Sequence, residues 1–478
     1  MYDVCIIGAG IIGCSIAREL SKYNLNICVL EKESDISVGT LGISKANSAI
    51  IHSGFDVEPG TLKSKFIVEG NYMFDKLSKE LDFPFRRNGS LVLCFNTNKI
   101  PMLNLLKEQG DENSVPGLMI LDKDQVLEME PSLSHNVVAG LYAPTGSIVC
   151  PFEMTIAYAE NAYTNGVQFK FNTEVLDIEK KPHYFVIKTE QYDIDTKIVI
   201  NAAGLFSDIL NNMVSNNKIS IVTKKGDYCL FDKAAGKTVR STIFQLPTEL
   251  GKGVLVTPTI NGNLIIGPNA SDSNGEFALN NTFESIDEIL LKAKTTLNNV
   301  PSSHVVSLFS GLRAHSTTDD FIIGESEDVK NFINAAAIGS SGLSSTPAIA
   351  SYIEDLVVSK LNPKKNKNYN PIRKAFPKLK NLTDEQKQTL TKEDPAYAKI
   401  ICKCENVTEG EILHSIHRPL GATTIEGILR RTGAGMGRCK SCYCNPKLVK
   451  ILARELNVSE EEIINSDDIL SLGTFSSN

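Results

Sequence analysis

The sequence predicts an α/β protein that ends in a small helical domain, and three observations support this fold class. Near the N-terminus, an apolar strand pattern at 3–7 runs through closely spaced glycines into a stretch with helical periodicity. Farther along, the patterns at 225–232 and 251–268 alternate between apolar and polar residues, which predicts strands of an antiparallel sheet. Five of the eleven cysteines fall within 402–444, and this clustering marks a separate unit.

Length and charge narrow the classes of protein that need to be considered. A chain of 478 residues exceeds the size at which one hydrophobic core keeps growing, so two or three domains are expected. A net charge of −7 and a pI of about 5.7 argue against nucleic acid or an anionic membrane as the main partner. The sequence shows neither a leader pattern nor an apolar run near the roughly 20 residues that span a bilayer. A cytoplasmic location is therefore expected, with docking to a peripheral membrane complex left open, and the cysteines are not expected to form a disulfide framework.

A dinucleotide-binding turn follows the first predicted strand. Its three glycines have the G-x-G-x-x-G spacing: Gly8, Gly10 and Gly13. The first permits a tight turn, the second lets the backbone approach a pyrophosphate, and the third allows close helix–strand packing. A second strand at 27–30 ends at Glu31, 18 residues past the last glycine, where a carboxylate can accept hydrogen bonds from ribose hydroxyls. These features predict a Rossmann-type fold, and the alternative is a glycine-rich turn in some other α/β protein.

Two later segments identify the kind of dinucleotide-binding protein. The strand pattern of 196–208 runs into an Ala-Gly pair, and 332–357 reads as a strand, a glycine-rich turn and a long helix. In this order the segments resemble the D-amino-acid-oxidase-like superfamily of FAD oxidoreductases, which includes glycerol-3-phosphate dehydrogenases and L-2-hydroxyglutarate oxidases. The resemblance covers about 1–357. It implies FAD as the cofactor and an α/β enzyme whose FAD-binding domain carries an antiparallel-sheet substrate domain.

The resemblance also implies a domain plan and a set of cofactor contacts. The FAD-binding pieces are expected at about 1–60, 150–215 and 310–360, and the substrate-domain insertions at about 60–150 and 215–310. Besides the three glycines, the residues expected near the cofactor are Glu31, Lys32, Ser44, Asn47, Ser48, Val175, Ala203, Gly204, Gly342, Leu343 and Ser344. The helix that begins around Gly342 is expected to direct its N-terminus at the pyrimidine end of the flavin, where its dipole favours the reduced anion.

The substrate site needs a cationic anchor and a base near the flavin. Arg313 matches the substrate-binding arginine of the superfamily, although its guanidinium suits a carboxylate or a phosphate equally well and the residue can also be purely structural. His52 is the candidate base, with cofactor contact or simple burial as alternatives, and His315 is a weaker candidate. Two charged pairs are candidates for further contacts to a phosphate or for a solvated face: Lys224 with Lys225, and Arg86 with Arg87.

A separate C-terminal module follows a predicted linker. The segment 361–398 is rich in Lys, Asn and Pro, the module is expected at 399–460, and 461–478 is expected to be a tail. Cys402-x-Cys404 precedes a second cysteine group after 34 residues, and this spacing resembles the bacterioferritin-associated-ferredoxin-like [2Fe–2S] domain, in the version fused to anaerobic glycerol-3-phosphate dehydrogenase large subunits. Zinc or an empty module is the alternative.

The second cysteine group offers one ligand more than the cluster needs. Cys439 fits both the C-x4-C pattern of fused relatives, which selects Cys444, and the C-x2-C pattern of stand-alone relatives, which selects Cys442. The frame GMGRC…C-x-P resembles the fused type and implies Cys444, so Cys442→Ser is expected to keep the cluster. Four nearby cations are expected to offset the negative charge of the cluster, to serve solubility or to dock an acidic partner: Arg430, Arg431, Arg438 and Lys440.

These parts together predict a dehydrogenase. A flavin takes two electrons as hydride, whereas a [2Fe–2S] centre passes one at a time, and a cluster is needed when electrons leave for an accepting subunit or carrier rather than for oxygen. The expected reaction is oxidation of an anionic secondary alcohol, first sn-glycerol 3-phosphate to dihydroxyacetone phosphate, then L-2-hydroxyglutarate or another 2-hydroxy acid, then an amino acid such as proline. The non-enzymatic alternative is a redox-sensing or scaffold subunit that binds FAD.

Overall fold

A computed structural model describes residues 1–38, 42–247, 253–269, 271–272, 279, 282–318 and 320–466. Within them the strands are β1 (Tyr2–Ile7), β2 (Ile27–Leu30), β3 (Ile50–Ile51), β4 (Phe85–Arg87), β5 (Ser90–Cys94), β6 (Met119–Asp122), β7 (Ala139–Ala143), β8 (Ser147–Val149), β9 (Gln168–Lys170), β10 (Val175–Lys180), β11 (Phe185–Thr189), β12 (Asp193–Asn201), β13 (Val222–Phe231), β14 (Thr242–Gln245), β15 (Val256–Pro258), β16 (Leu264–Ile266), β17 (Ser271–Asp272), β18 (Val305–His315), β19 (Ile322–Glu325), β20 (Phe332–Ala336), β21 (Ile400–Cys402) and β22 (Val407–Thr408).

The α-helices of the described residues alternate with these strands. They are α1 (Ile11–Leu20), α2 (Leu62–Leu81), α3 (Ile100–Glu112), α4 (Lys123–Met129), α5 (Pro151–Thr164), α6 (Ser207–Val214), α7 (Phe283–Thr296), α8 (Gly342–Leu361), α9 (Asp384–Glu393), α10 (Glu409–His417), α11 (Ile425–Thr432), α12 (Asn445–Leu456) and α13 (Glu460–Ser466). The start of the predicted alternation at 251–252 and the end of the predicted tail at 467–478 lie outside the described residues.

The first sheet is the predicted Rossmann-type unit. Its strand order is β10-β11-β12-β1-β2-β9, and β20 also pairs with β12. The pairs β12–β1, β1–β2, β2–β9 and β12–β20 are parallel, and the apolar runs of β1 and β2 are buried because helices cover the sheet. Helix α1 packs against α5 and α8, and α2 crosses α8 where a Cβ on Gly70 would lie 2.2 Å from the carbonyl oxygen of Ser344.

The second sheet belongs to the substrate domain. Its order is β17-β13-β16-β15-β14-β5-β7-β6, with β18 on the other edge of β13, and its pairs are antiparallel except for β14 with β5. It has its own apolar core, which includes Phe231, Ile243 and Ile266. The sequence prediction of an α/β fold with an antiparallel-sheet substrate domain is confirmed.

The segment after α8 crosses the surface of the FAD-binding domain and then forms a helix. The backbone N–H of Asn24 donates to the carbonyl oxygen of Lys364, and Arg373 pairs with the buried Glu160 of α5 at 2.7 Å. Helix α9 then begins with a capping box at Thr383, which the prediction of a plain linker did not include.

The C-terminal module is small and mostly helical, with its own core around Ile412, Ile428 and Leu448. Its short strands β21 and β22 pair with each other, and α10 begins with a capping box at Thr408. The cysteine-rich loop connects α11 to α12. Among the described helices, we find none with the length and apolar character required to cross a bilayer.

Candidate active site and cluster site

A cavity of about 1010 Å³ lies between the two sheets, at the carboxyl ends of the parallel strands. Most predicted site residues line it: Gly8, Gly10, Glu31, Lys32, Ser44, Asn47, Ser48, His52, Val175, Ala203, Gly204, Arg313, His315, Gly342 and Leu343. Gly13 and Ser344 lie behind its wall. In open parallel sheets this edge is where ligands bind, so the fold brings the predicted cofactor and substrate residues into one space.

The glycine turn packs closely against neighbouring backbone and leaves the N-terminus of α1 facing the cavity. Gly8 has φ of 107°, and a Cβ there would lie 2.5 Å from the carbonyl oxygen of Ala202. At Gly13 a Cβ would lie 1.9 Å from the carbonyl oxygen of Gly8, so this position needs glycine for α1 to pack against the turn. Ser44 Oγ accepts a hydrogen bond from the backbone N–H of Ile11 at 3.0 Å, at the N-terminus of α1. The turn therefore fits a pyrophosphate on a helix N-terminus.

Glu31 stands at the end of β2 as predicted. Its carboxylate accepts backbone N–H groups from Ala9 at 2.8 Å and Glu33 at 3.1 Å, while burial raises its pKa. Lys32 extends over the ring of Phe206, 4.0 Å from its centroid, on the same side of the cavity. This end of the cavity fits the ribose and adenine of a dinucleotide.

Ser344 contacts the backbone of His52 at the substrate end of the site. Its hydroxyl accepts a hydrogen bond from the backbone N–H of His52 at 2.7 Å, so α8 fixes the position of the histidine. On the other side of this segment, Asn47 accepts from Ala49 N–H at 2.8 Å and donates to the carbonyl oxygen of Ser44 at 3.0 Å. Residues 44–52 are thus ordered by hydrogen bonds of Asn47 within the segment and by one from α8.

The substrate end of the cavity is cationic. Arg313 on β18 donates to the hydroxyl of Tyr228 at 2.7 Å and lies directly opposite Lys224 on β13. Cross-strand partners share one face of a sheet, so both cations face the cavity. Lys225 also lines it, but Asp227 lies 3.1 Å from its amine and offsets its charge.

The two histidines differ in their surroundings. His52 packs against Phe244 at 6.0 Å between ring centroids, and burial lowers its pKa, with Lys63 and Arg313 acting in the same direction and Asp56 opposing. His315 ends β18 beside Gly339, where a Cβ would lie 3.0 Å from its ring.

The charged pair at Arg86 and Arg87 lies outside the cavity. Arg86 is exposed on β4, and Arg87 donates to Asp75 and to the carbonyl oxygen of Thr145. Sequence reasoning missed Tyr228, although it stands four residues after Lys224 on one strand and therefore on the same face.

The cysteine-rich loop brings four thiols together in two pairs. Cys402 and Cys444 are buried, and the neighbouring thiol of Cys444 lowers the pKa of Cys402 to about 6. The thiols of Cys404 and Cys439 also lie close to each other. Cys442 is exposed. In the described part of the chain, no group of three His, Cys, Asp or Glu side chains is arranged to hold a single metal ion. A [2Fe–2S] cluster takes four thiolates, which Cys402, Cys404, Cys439 and Cys444 would supply.

Glycines let the loop approach these thiols. The backbone N–H of Gly435 donates to Cys402 Sγ at 3.5 Å, and a Cβ on Gly437 would lie 2.3 Å from Cys404 Cβ. Amide donors to sulfur are a usual means of tuning a cluster.

Three of the four cations predicted to surround the cluster have partners in other domains. Arg430 and Arg431 are buried against the FAD-binding domain, and Arg438 pairs with Asp232 of the substrate domain at 2.6 Å. The hypothesis that Arg430 and Arg431 offset the charge of a cluster is therefore wrong, because both guanidinium groups have partners elsewhere.

Comparisons with known proteins agree with this arrangement. Residues 3–356 match the family described as FAD dependent oxidoreductase, and residues 400–454 match the BFD-like [2Fe-2S] binding domain. A glycerol 3-phosphate dehydrogenase of Caloramator mitchellensis is 52% identical over 97% of this chain and 96% of its own length. A glycerol 3-phosphate oxidase of Mycoplasma genitalium is 34% identical over 77% of this chain and 97% of its own length.

A solved structure shows the same fold in the larger part of the chain. Dithionite-reduced L-alpha-glycerophosphate oxidase from Mycoplasma pneumoniae with FAD bound has a TM-score of 0.73 and 29% identity, and the alignment covers 78% of this chain and 98% of that one. FAD and a [2Fe–2S] cluster are the cofactors, as the sequence predicted. The chain belongs to the family of FAD-dependent oxidoreductases and carries a BFD-like [2Fe–2S] binding domain at its C-terminus.

Proposed function

We propose that the protein is a glycerol-3-phosphate dehydrogenase that oxidises sn-glycerol 3-phosphate to dihydroxyacetone phosphate and passes the electrons to an accepting protein. The observation that carries the proposal is the relative of that name, which is 52% identical over 97% of this chain and therefore spans both domains. Membership of an enzyme family also favours catalysis over the redox-sensing or scaffold alternative.

The charge of the substrate end supports a phosphate. Arg313 and Lys224 face each other across adjacent strands, and like charges placed directly opposite destabilise a sheet in the absence of a compensating anion. A phosphate dianion places two negative charges on one group between them, whereas the two charges of L-2-hydroxyglutarate are on separate carboxylates. Tyr228 holds one edge of the guanidinium, which leaves the other edges of Arg313 for the ligand.

His52 is the proposed base. FAD supplies the hydride acceptor, so the residues of the chain need to orient the alcohol and take the proton of its hydroxyl. A lowered pKa keeps His52 neutral near pH 7 and able to accept that proton. Ser344 fixes the position of the histidine by accepting its backbone N–H, and Arg313 binds the distant anionic group of the substrate.

The C-terminal domain supports a dehydrogenase rather than an oxidase. When bound, the [2Fe–2S] cluster transfers single electrons. The two relatives named oxidases match this chain over 77% and 78% of its length, and each alignment covers almost all of the oxidase. The remainder of this chain, which includes the BFD-like domain, has no counterpart in those alignments. A cluster-binding domain would give electrons a route from the flavin to an accepting protein.

A steady-state assay tests the proposal. The purified protein is supplied with an artificial electron acceptor and with sn-glycerol 3-phosphate, L-2-hydroxyglutarate or L-proline. Turnover of sn-glycerol 3-phosphate with the highest kcat/KM is expected, and glycerol serves as the control without an anionic group. Turnover of L-2-hydroxyglutarate without turnover of glycerol 3-phosphate would instead support the second candidate, for which Arg313 binds a carboxylate.

A further inference from the structure

Helix α11 of the C-terminal domain lies against a loop that lines the FAD cavity. We call the described residues 35–38 and 42–45 the cofactor loop. Ser37, Val38, Ile43 and Ser44 of this loop line the cavity. The loop follows β2 and Glu31, which also lines the cavity, so contacts to this loop affect the wall of the cofactor site.

A buried ion pair joins the loop to the helix. Arg431 donates to both carboxylate oxygens of Asp35, at 2.6 Å and 2.7 Å, and the two side chains are 2% and 3% exposed. Arg431 also donates to the carbonyl oxygens of Gly427 and Leu420, at 3.0 Å and 2.7 Å. A Cβ on Gly427 would lie 2.6 Å from the Asp35 carboxylate, so glycine permits this close approach.

Two further contacts from the same helix reach the loop. Arg430 donates to the carbonyl oxygen of Ser37, a residue of the cavity wall. Glu426 pairs with Arg430 and lies 3.6 Å from the amine of Lys45. The neighbour of Lys45 is Ser44, whose hydroxyl accepts the N–H at the start of α1. The helix therefore holds both described parts of the loop.

The energetics of such a pair point to a role in positioning. Desolvation of two charges largely offsets their attraction, so a buried ion pair adds little net stability, but loss of one partner leaves the other buried and uncompensated. Here the pair fixes the position of Asp35 next to loop residues that line the cavity. Residues 35 and 431 are far apart in the sequence, so the contact forms when the C-terminal domain docks.

We propose that Asp35 and Arg431 are positioning residues for FAD, through which docking of the C-terminal domain holds the described parts of the cofactor loop in place along the cofactor cavity. Because binding linkage is reciprocal, FAD in turn stabilises the docked domain. The cysteine loop begins directly after α11, so the same helix connects the FAD site with the cluster site. The proposal depends on the family assignment and holds whichever alcohol is oxidised.

The test measures FAD affinity in the full-length chain. FAD is removed and rebound while its fluorescence is followed, for the wild type, Arg431→Met and Glu426→Gln. The dissociation constant is expected to rise at least tenfold for Arg431→Met and severalfold for the milder Glu426→Gln. Arg454→Met is the matched control, because Arg454 pairs with Glu409 and Glu455 on the exposed side of the same domain, and its FAD affinity is expected to equal that of the wild type.

A second measurement separates positioning from stability alone. The shift of Tm on addition of FAD reports the same affinity, since a ligand stabilises the state that binds it. A structural role would lower Tm equally with and without FAD and leave the shift unchanged, and that result, or an unaltered dissociation constant in folded Arg431→Met, overturns the proposal. Asp35→Asn combined with Arg431→Met is expected to weaken FAD binding by less than the product of the two single effects, whereas a full product would show that the two residues do not act together.

Discussion

Replacing Arg313 with Met tests the substrate site most sharply. Each hydrogen bond from a charged group contributes about 1.5–3 kcal/mol, and the guanidinium fork offers two of them to an anion. One edge of Arg313 is already taken by Tyr228, so its free edges carry the substrate. Loss of both bonds amounts to about 3–6 kcal/mol, which lowers kcat/KM by about 10²–10⁴-fold. Because Lys224 remains to bind the anion, we expect a decrease of about 10²-fold.

The assay is steady-state oxidation of sn-glycerol 3-phosphate with an artificial acceptor, with FAD content checked for each variant. Arg313→Lys keeps the charge without the planar fork and is expected to fall between the wild type and Arg313→Met. Arg86→Met is the control, since Arg86 is exposed on β4 away from the cavity, and it is expected to retain wild-type kcat/KM. The reasoning is refuted if Arg313→Met binds FAD and changes kcat/KM less than threefold.

Three further predictions concern the cluster, the base and the helix packing. Cys442→Ser is expected to keep the [2Fe–2S] absorption and EPR signal, whereas Cys444→Ser is expected to lose them; equal loss in both variants would place the exposed cysteine among the ligands. His52 has to be neutral to accept a proton, and its pKa is lowered. In the pH profile, kcat/KM is therefore expected to fall at acidic pH with an apparent pKa below 6.5. A fall with an apparent pKa at or above 6.5 would contradict this assignment. Gly70→Ala is expected to lower the free energy of unfolding by about 1–3 kcal/mol, because its Cβ meets the carbonyl oxygen of Ser344, and an unchanged Tm would show that α2 moves aside without cost.

Local patterns explain why the nucleotide site was predictable. The glycine spacing, the strand before it and Glu31 after it are set within a short stretch, and each has a direct physical reason. Arg313 and the cysteine ligands were reached through family resemblance, and the structure adds that Cys402 and Cys444 are buried whereas Cys442 is exposed. The order of strands in the second sheet depends on contacts between distant segments, which periodicity does not encode.

The sequence did not predict the contacts between the domains. Arg431 and Asp35 stand 396 positions apart, and in sequence the arginine has cysteines rather than Asp35 as its neighbours, which led to the wrong hypothesis that it offsets the charge of the cluster. Helix α9 was missed because its residues are mostly polar, although Thr383 and Gln386 form a capping box that signals its start.

The central claim is that glycerol 3-phosphate reduces the flavin and that the electrons then reach the cluster. Anaerobic mixing of the full-length protein with sn-glycerol 3-phosphate, followed by optical and EPR spectra on the same sample, measures both steps. The expected result is bleaching of the flavin bands followed by the EPR signal of a reduced [2Fe–2S] cluster. A bleached flavin with a cluster that stays oxidised, although dithionite reduces it, would contradict the electron exit, and a flavin that responds to L-2-hydroxyglutarate alone would contradict the substrate.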